Sequence, residues 1–580
     1  MKEIDYSDGN LLEKQILDLL NQETELSSDS APGLGRYSQW ALKYHLCPER
    51  SNLLRHLAFN GLDVLELGAG MGGVSRYLAE TAKSLTAIEG TEARFKALSA
   101  RLRDLKNWSG IVGNIQDVEL AQKFDVVCVI GVLEYSDLFL TSTTGEPAYS
   151  VFLKKANSWL KEDGVLCLAI ENRLGLKYWS GAAEDHTGQL FDGVCGYPAG
   201  KSARTFSRKE LIDLINASGL SNVEEYYPFP DYKIPAAVIS RRFVQTDPSM
   251  AADLAASRSF ENYGQPRLRY FPESLALRSV AQAGLLPEFA NSFLFLASKN
   301  RDSRVLNSLL EPARDAKDEA WYYSNNRKVP TKTVFSVKDR VYVRKEALRN
   351  AAPPETSTLI DGQTVHWSAL PERAAHEGTQ IRPLLAQYAY YGRWEAFHSL
   401  LRSFFDWSFS TWKAPRNTLQ GQALDATFSN AVRLPNGDFA LFDLEWEIEG
   451  SFPKSWFLVR NLYPLGDDTN INWANAPFFT LLQCYLQFCE EFEIDADIKE
   501  SIRLEAEFQA GVTNGTDRYH RSEALLAILK NPLQNTTRYP RSPTLEVEIF
   551  EEACRFRTLK KKFPIRCMRW VHRKLKKGSS

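Results

Sequence analysis

A short apolar run near the start of the chain leads into a turn rich in glycine. Residues 62–67 (LDVLEL) are followed by Gly68, Gly70 and Gly72, and then by the helical pattern VSRYLAETA. Glycine permits a tight turn and a close approach of the backbone to a ligand, while the start of the helix offers free N–H groups. The order strand, glycine turn, helix predicts the first unit of an open α/β sheet with a ligand at its edge.

Acidic and amide side chains recur where the next strands should end. Glu89 ends the run SLTAIEG, 21 residues after Gly68, and a carboxylate at that position can accept both hydroxyls of a ribose. Asn114 and Asp117 follow a third strand in GNIQD, where a polar side chain could contact an adenine edge. These positions favour a ligand that contains adenosine.

The next two strands separate methyltransferases from dehydrogenases. The runs FDVVCVIGVLEY (124–135) and EDGVLCLAIENR (162–173), with the acid before the glycines, resemble the class I S-adenosylmethionine-dependent methyltransferases. The resemblance implies a Rossmann-like, mostly parallel seven-stranded sheet over residues 40–300. It places an N-terminal helix and linker over 1–39 and a helical insertion over 245–285. The implied S-adenosylmethionine-binding residues are Glu66, Gly68, Gly70, Gly72 and Glu89, with Asn114 and Asp117 at the adenine.

A long polar stretch follows the fifth strand, which is typical of a functional loop. Its segments ENR, EDHTG and RTFS resemble a subset of these methyltransferases among bacterial cell-surface polysaccharide enzymes. His186, with Asp185 beside it, is the first candidate for a general base. The predicted substrate-binding residues are Glu171, Asn172, Arg173 and Arg204. If the acceptor is a phosphate, no base is needed, and Arg173, Arg204 and His186 would bind the anion.

The second half of the chain, residues 320–545, resembles the protein-kinase-like fold. Asp425 is followed by Asn430 and then by Asp443, and Lys345 closes an early strand. The resemblance implies that Asp425 orients a hydroxyl, that Asn430 and Asp443 hold Mg²⁺, and that Lys345 binds the phosphates of ATP. Glu445 could be an additional metal ligand. The sequence departs from the kinase pattern before Asp425 and after Asp443, and no glycine-rich loop precedes Lys345.

A methyltransferase followed by a kinase is the order found in chain-terminating proteins of bacterial O-antigen assembly. This resemblance implies an enzyme that caps a lipid-linked glycan and so limits its length. One alternative is a monofunctional O-methyltransferase with a non-catalytic glycan-binding or assembly module. Another is a scaffold that tethers a polymerase to the membrane.

The charge of the chain is unevenly distributed. Residues 551–580 hold eleven Lys/Arg and two Glu, a net charge of +9, so the total of -2 leaves -11 for residues 1–550. Aromatic and basic residues alternate over the tail 546–580, which favours an anionic membrane surface or a glycosyltransferase as its partner, and the segment before it could pair in a homo-oligomer. Nothing upstream predicts nucleic-acid binding. The sequence has neither a signal peptide nor a CxxC zinc motif, so a cytoplasmic protein peripheral to the membrane is expected.

Overall fold

The computed structural model describes most of the first 533 residues. The described ranges are 9–30, 39–140, 145–198, 203–260, 262, 267–348, 357–468, 470–473, 476–514 and 518–533. The basic tail 546–580 lies outside the described residues, and its predicted partners therefore stay predictions.

Helices surround the sheets throughout the described ranges. The helices of the first half are α1 Asn10–Gln22, α2 Trp40–Leu46, α3 Ser75–Thr81, α4 Glu92–Arg101, α5 Ser136–Phe139, α6 Ala148–Ser158, α7 Leu176–Trp179, α8 Arg208–Ala217, α9 Arg241–Thr246, α10 Pro248–Ala256, α11 Glu273–Gln282, α12 Leu286–Phe289 and α13 Arg304–Ala316. Those of the second half are α14 Ile381–Tyr390, α15 Trp394–Thr411, α16 Lys454–Gly466, α17 Leu481–Glu491, α18 Ile498–Val512 and α19 Ser522–Lys530.

The strands fall into one large sheet and several small ones. The large sheet contains β1 Asp63–Leu67, β2 Ser84–Glu89, β3 Trp108–Val112, β4 Phe124–Ile130, β5 Leu160–Glu171, β6 Asn222–Phe229, β7 Ala237–Ser240, β8 Ser292–Ser298, β9 Asp318–Ser324, β10 Thr331–Val337, β11 Val341–Ala347 and β14 Leu370–Ala374. The small sheets contain β12 Ser357–Ile360, β13 Gln363–Trp367, β15 Thr379–Gln380, β16 Thr418–Gln420, β17 Ala431–Arg433, β18 Phe439–Leu441, β19 Trp446–Ile448 and β20 Ser451–Pro453.

The first part of the large sheet has a Rossmann-like arrangement. Its order is β3-β2-β1-β4-β5-β8-β6, and β1 to β5 pair in parallel while β8 runs antiparallel between β5 and β6. Both faces of the central strands are buried, which is why these strands read as continuous apolar runs. Along β4, Val127 and Val129 join one hydrophobic cluster, whereas Val126 and Cys128 join the cluster on the opposite face.

The sheet extends beyond the seven predicted strands, because it does not stop at β6. β7 pairs antiparallel with β6 and then with β9, where Val238 lies opposite Trp321. β10, β11 and β14 continue the ladder, so twelve strands form one sheet that crosses from the first half of the chain into the second. The helix α13 connects the halves and packs on the sheet.

Local sequence patterns account for several elements of the second half. TVFSVKDRVYVRKEAL, two short apolar runs around a charged turn, forms the antiparallel pair β10 and β11, and a turn at Asn436-Gly437 joins the antiparallel strands β17 and β18. The helices α14 and α15 follow residue 380, and their apolar faces enter the core of this half. Within the described residues, no helix is long and apolar enough to cross a membrane.

A histidine lies buried where the two halves of the sheet meet. The ring of His56 is 4.7 Å from the ring of Tyr226 on β6 and 4.7 Å from that of Trp321 on β9. Among the described residues, neither ring nitrogen of His56 has a hydrogen-bond partner. Burial lowers the pKa of His56 to about 3, so the imidazole is neutral in the folded protein at neutral pH.

This neutral imidazole should make stability depend on pH. Below pH about 6.5 the unfolded chain binds a proton at His56 and the folded chain does not, so stability present above that pH is lost as the pH falls toward 3. His56→Phe keeps a packed ring and removes the titration. Between pH 7 and pH 5, the wild type should lose about 2 kcal/mol more free energy of unfolding than the variant in urea titrations. Equal losses would contradict a buried neutral imidazole.

Candidate functional site

The glycine turn lies at the edge where the parallel strands β1, β2, β4 and β5 end. Gly68 follows β1 with φ +71°, a conformation that disfavours residues with a side chain. A Cβ atom on Gly68 would lie 2.6 Å from Val132 Cγ2, in the loop after β4. Gly70 and Gly72 also have positive φ. Open α/β sheets bind ligands at this edge, and a Cβ atom on Gly70 would meet open space there.

The two acids predicted to flank the turn both face it. Glu89 ends β2 and accepts hydrogen bonds from Gly70 N–H at 2.8 Å and from Thr91 N–H at 3.1 Å. Glu66 is buried in β1, and its Oε2 has no hydrogen-bond partner in the described part of the chain. Burial, opposed by Ser75, raises the pKa of Glu66 to about 7. Glu89 thus fixes the turn through one oxygen and could bind ribose hydroxyls at the same place.

The two predicted adenine residues differ in their surroundings. Asn114 donates from Nδ2 to the carbonyl of Phe139 and accepts from Gln116 N–H, so its amide holds the loop after β3. Asp117 is exposed. The loop after β3 lies where an adenine edge was predicted, but the side chain of Asn114 already bonds to backbone groups of the protein.

Titratable side chains fill the space beyond β4 and β5. We call this set the acceptor cluster; it consists of Glu134, Glu171, Lys177, Glu184, Asp185, His186, Asp231 and Lys233. Glu134 follows β4 and Glu171 ends β5, so the cluster lies at the same edge of the sheet as the glycine turn.

Two lysines neutralise part of the acceptor cluster. Lys177 is fully buried, and its Nζ lies 2.8 Å from Asp185 Oδ2 and 2.7 Å from Asp231 Oδ2. Burial would lower the pKa of Lys177, but the two carboxylates outweigh it and raise the pKa. Lys233 donates to Glu171 Oε1 and lies 3.2 Å from Asp185 Oδ2.

The predicted base His186 is held in one orientation by Glu184. His186 Nδ1 lies 3.0 Å from Glu184 Oε1, and the other oxygen of Glu184 accepts the backbone N–H groups of His186 and Thr187. Burial would lower the pKa of His186, but the bond with Glu184 and the nearby carboxylate of Glu134 raise it. The raised pKa extends the pH range over which the imidazole is protonated when no ligand is bound.

The remaining predicted substrate residues differ in whether their polar groups already bind other parts of the protein. Asn172 donates to the carbonyls of Glu288 and Ala290 and is fully buried, so its amide secures the loop after β5. Arg173 forms a bidentate ion pair with Glu210. Arg204 stacks over Phe206, and its Nε has no hydrogen-bond partner among the residues described.

Sequence reasoning missed five members of the acceptor cluster. Glu134 lies in the motif VLEY, Lys177 in ENRLGLKYW and Glu184 in EDHTG, so the motifs after β4 and β5 were a usable signal for these three. Asp231 and Lys233 come from the connection between β6 and β7, and only the sheet order brings that connection to β5. No local sequence pattern identifies Asp231 or Lys233 as site residues.

A second group of charges lies in the second half, around Lys345 on β11. Its side chain is only 3% exposed, and Nζ lies 2.7 Å from Asp443 Oδ2 and 2.9 Å from Glu445 Oε2. Arg327 binds the other oxygen of Glu445 at 3.1 Å. Burial would raise the pKa of Glu445, but Arg327 and Lys345 lower it to about 2. Glu445, predicted as an additional metal ligand, is thus bound by two cations.

Asp425 and Asn430 complete this group, which we call the lysine–aspartate site. Asp425 Oδ2 accepts the backbone N–H of Glu445 at 2.9 Å, and Asn430 Nδ2 donates to the carbonyl of Asp425 at 3.0 Å. Burial, reinforced by Glu445, raises the pKa of Asp425 to about 6. The structure therefore brings the four predicted residues together, although they are spread over nearly a hundred positions of the chain.

A cavity of about 920 Å³ adjoins the lysine–aspartate site. Asp425 and Asn430 line it, and so does Arg382, which pairs with Asp468. Lys43 and Glu49, from the segment before β1, also line the cavity. Both halves of the chain therefore contribute to its wall.

A comparison with protein families gives a match in the first half of the chain. Residues 65–168 match the family model described as a methyltransferase domain. The matched segment contains the glycine turn, Glu89, the adenine-side loop and most of β5. Residues 65–168 are thus similar to a methyltransferase domain. No curated protein matches the chain.

Solved structures that resemble the chain include several methyltransferases. A SAM-dependent methyltransferase from Thermotoga maritima is 16% identical, covers 50% of this chain and 96% of its own, and has a TM-score of 0.26. The N-methyltransferase NodS from Bradyrhizobium japonicum with S-adenosylhomocysteine is 19% identical over 29% of this chain and 77% of its own, with a TM-score of 0.21. These distant likenesses assign neither a substrate nor a role to any residue.

The lysine–aspartate site should be sensitive to loss of its ammonium group. Lys345→Ala leaves the buried Glu445 and the partly buried Asp443 with less counter-charge and should lower the free energy of unfolding by about 3 kcal/mol. Lys332→Ala is the matched control, because Lys332 pairs with Glu346 on the surface of the same sheet and should cost about 0–1 kcal/mol. Chemical denaturation of both variants measures the difference. Equal, small losses would show that Lys345 does not balance buried charge.

Proposed function

We propose that the first half of the chain transfers a methyl group from S-adenosylmethionine to an oxygen of a surface glycan. The observation that carries this proposal is the arrangement of Gly68, Gly70 and Glu89 at the edge of the sheet, with the acceptor cluster beside them. The match of residues 65–168 to a methyltransferase domain supports it. The glycan acceptor rests on the motifs ENR, EDHTG and RTFS alone.

In this proposal the glycine turn and Glu89 bind the cofactor, with Glu89 at the ribose. The acceptor cluster, at the ends of β4 and β5, would hold the glycan oxygen beside the methyl group that S-adenosylmethionine supplies. The O–CH₃ bond forms as the S–CH₃ bond breaks, and the sulfur keeps the bonding pair. A hydroxyl acceptor gives its proton to the predicted base His186 or Asp185, whereas a phosphate acceptor needs no base.

The cofactor assignment predicts a selective loss of binding. Glu89→Ala removes the ribose acceptor and the bond to Gly70 N–H, and we expect the Kd for S-adenosylmethionine to rise at least tenfold. Glu92→Ala changes an exposed acid three residues away and should leave the Kd within twofold. Isothermal titration calorimetry measures both. Absence of heat with the folded wild type would overturn the methyltransferase assignment.

A second candidate function is phosphate transfer from ATP by the second half of the chain. The favouring observation is the convergence of Lys345, Asp425, Asn430 and Asp443 beside a cavity large enough for a nucleotide or a glycan end. In this role Lys345 would bind phosphates and Asp425 would orient the hydroxyl of the glycan. Asn430 and Asp443 would hold Mg²⁺. Phosphorylation followed by methylation would cap the chain end.

This order of reactions predicts how two variants differ. Asp443→Asn should abolish transfer of the labelled γ-phosphate of ATP to a lipid-linked glycan, while the affinity for S-adenosylmethionine stays unchanged. Glu89→Ala should retain phosphate transfer and lose methyl transfer. If Asp443→Asn transfers phosphate at the wild-type rate, the kinase role is wrong, and the second half is a binding or assembly module.

A further inference from the structure

The acceptor cluster contains buried carboxylate oxygens that its lysines do not reach. Among the described residues, Glu134 Oε2 and Glu171 Oε2 have no hydrogen-bond partner, and both side chains are at most 1% exposed. A buried charged oxygen without a partner is costly, so such atoms usually indicate a missing ligand. The two oxygens belong to the ends of neighbouring parallel strands.

His186 faces the same space with its second ring nitrogen. Nε2 lies 3.9 Å from Glu134 Oε1, which is too far for a hydrogen bond. One ligand atom each from Glu134, Glu171 and His186 lies within 4.8 Å of the other two. Ligand atoms around one divalent cation with bonds of about 2.1 Å are roughly 3–4 Å apart, so a small inward shift would close the site.

The contacts behind the imidazole are those of a metal ligand. Glu184 Oε1 lies 3.0 Å from His186 Nδ1 and can accept its N–H, which directs the lone pair of Nε2 toward Glu134 and Glu171. A carboxylate in this position is the usual outer partner of a metal-binding histidine. Lys233 similarly holds Glu171 through its other oxygen.

A neighbouring set of carboxylates gives the contrast. Glu171, Asp185 and Asp231 also lie within 4.8 Å of one another. Each of these carboxylates already binds a lysine through one oxygen: Lys177 contacts Asp185 and Asp231, and Lys233 contacts Glu171 and Asp185. Asp185 Oδ1 and Glu171 Oε2 have no hydrogen-bond partner among the described residues, but two lysines balance much of the charge of this set. In the set with His186, Glu134 forms no ion pair with a lysine within the described ranges, and an imidazole nitrogen takes the place of the two aspartates.

We propose that Glu134, Glu171 and His186 bind one divalent cation. A donor set of two carboxylates and one imidazole suits Mn²⁺ and similar first-row ions. This inference rests on the proposed methyl transfer, which gives the ion its role, because an anionic glycan phosphate would otherwise meet a pocket lined by carboxylates. A bound cation would hold such an oxygen beside the methyl group and would favour the deprotonated form of a hydroxyl acceptor. Because His186 would then be a ligand, Asp185 would be the remaining base of the two predicted.

The test uses the full chain, freed of metal with a chelator and titrated with Mn²⁺ by electron paramagnetic resonance. We expect an Mn²⁺ site whose affinity falls at least tenfold in both Glu134→Gln and His186→Gln. Asp443→Asn is the control for the lysine–aspartate site and should leave this affinity within twofold. Asp231→Asn is the control for the neighbouring carboxylates and should do the same.

Binding of S-adenosylmethionine by each variant is measured in parallel, because it reports on folding and on the methyltransferase assignment separately. No Mn²⁺ binding by the wild type, or unchanged affinity in Glu134→Gln and His186→Gln, would overturn the inference. If Mn²⁺ affinity falls only in Asp231→Asn, the ion binds the set of Glu171, Asp185 and Asp231, and the inference is equally overturned. If Mn²⁺ binds as expected and S-adenosylmethionine does not, the cation site stands and the proposed function falls.

Discussion

Buried charge requires buried counter-charge, and both candidate sites meet this requirement with a lysine placed between two carboxylates. Lys177 joins Asp185 to Asp231, and Lys345 joins Asp443 to Glu445. Removing a charge from water costs several kcal/mol per ion, so each arrangement persists only where the partners are held in register by the sheet. The ends of the strands supply that register. The functional groups around each lysine depend on it for their positions.

The two sites differ in how completely the charges are matched. Around Lys345, Arg327 adds a second cation, and Arg460 lies 3.4 Å from Asp425. Around Lys177 and Lys233, the side of the cluster that faces Glu134 retains carboxylate oxygens for which the described residues provide no partner. A site that has more anions than cations is prepared for a positively charged ligand. The lysine–aspartate site and the acceptor cluster lie beside the same sheet but differ in their balance of charge.

The sequence predicted what is encoded locally. The glycine turn, Glu89 at the end of β2 and the capping box of Ser207 and Glu210 all follow from neighbouring residues, and each is present. The spacing of Asp425 and Asp443 anticipated their convergence with Lys345. Contacts between distant segments were not predicted, because alternation of apolar residues marks a strand without naming its partner. The antiparallel insertion of β8, and the arrival of Lys233 at Glu171, are of that kind.

The pairing of β7 with β9 also bears on how such a chain can be inherited. Domains joined by a linker can be exchanged between genes as separate pieces. Here the four residues of β7 are fully or almost fully buried inside a ladder whose far side belongs to the second half. Separating the halves would turn β7 into an open edge with unpaired N–H and C=O groups, ready to pair with other chains. Exchange of either half between genes would therefore expose this edge, so we expect the two halves to be inherited together.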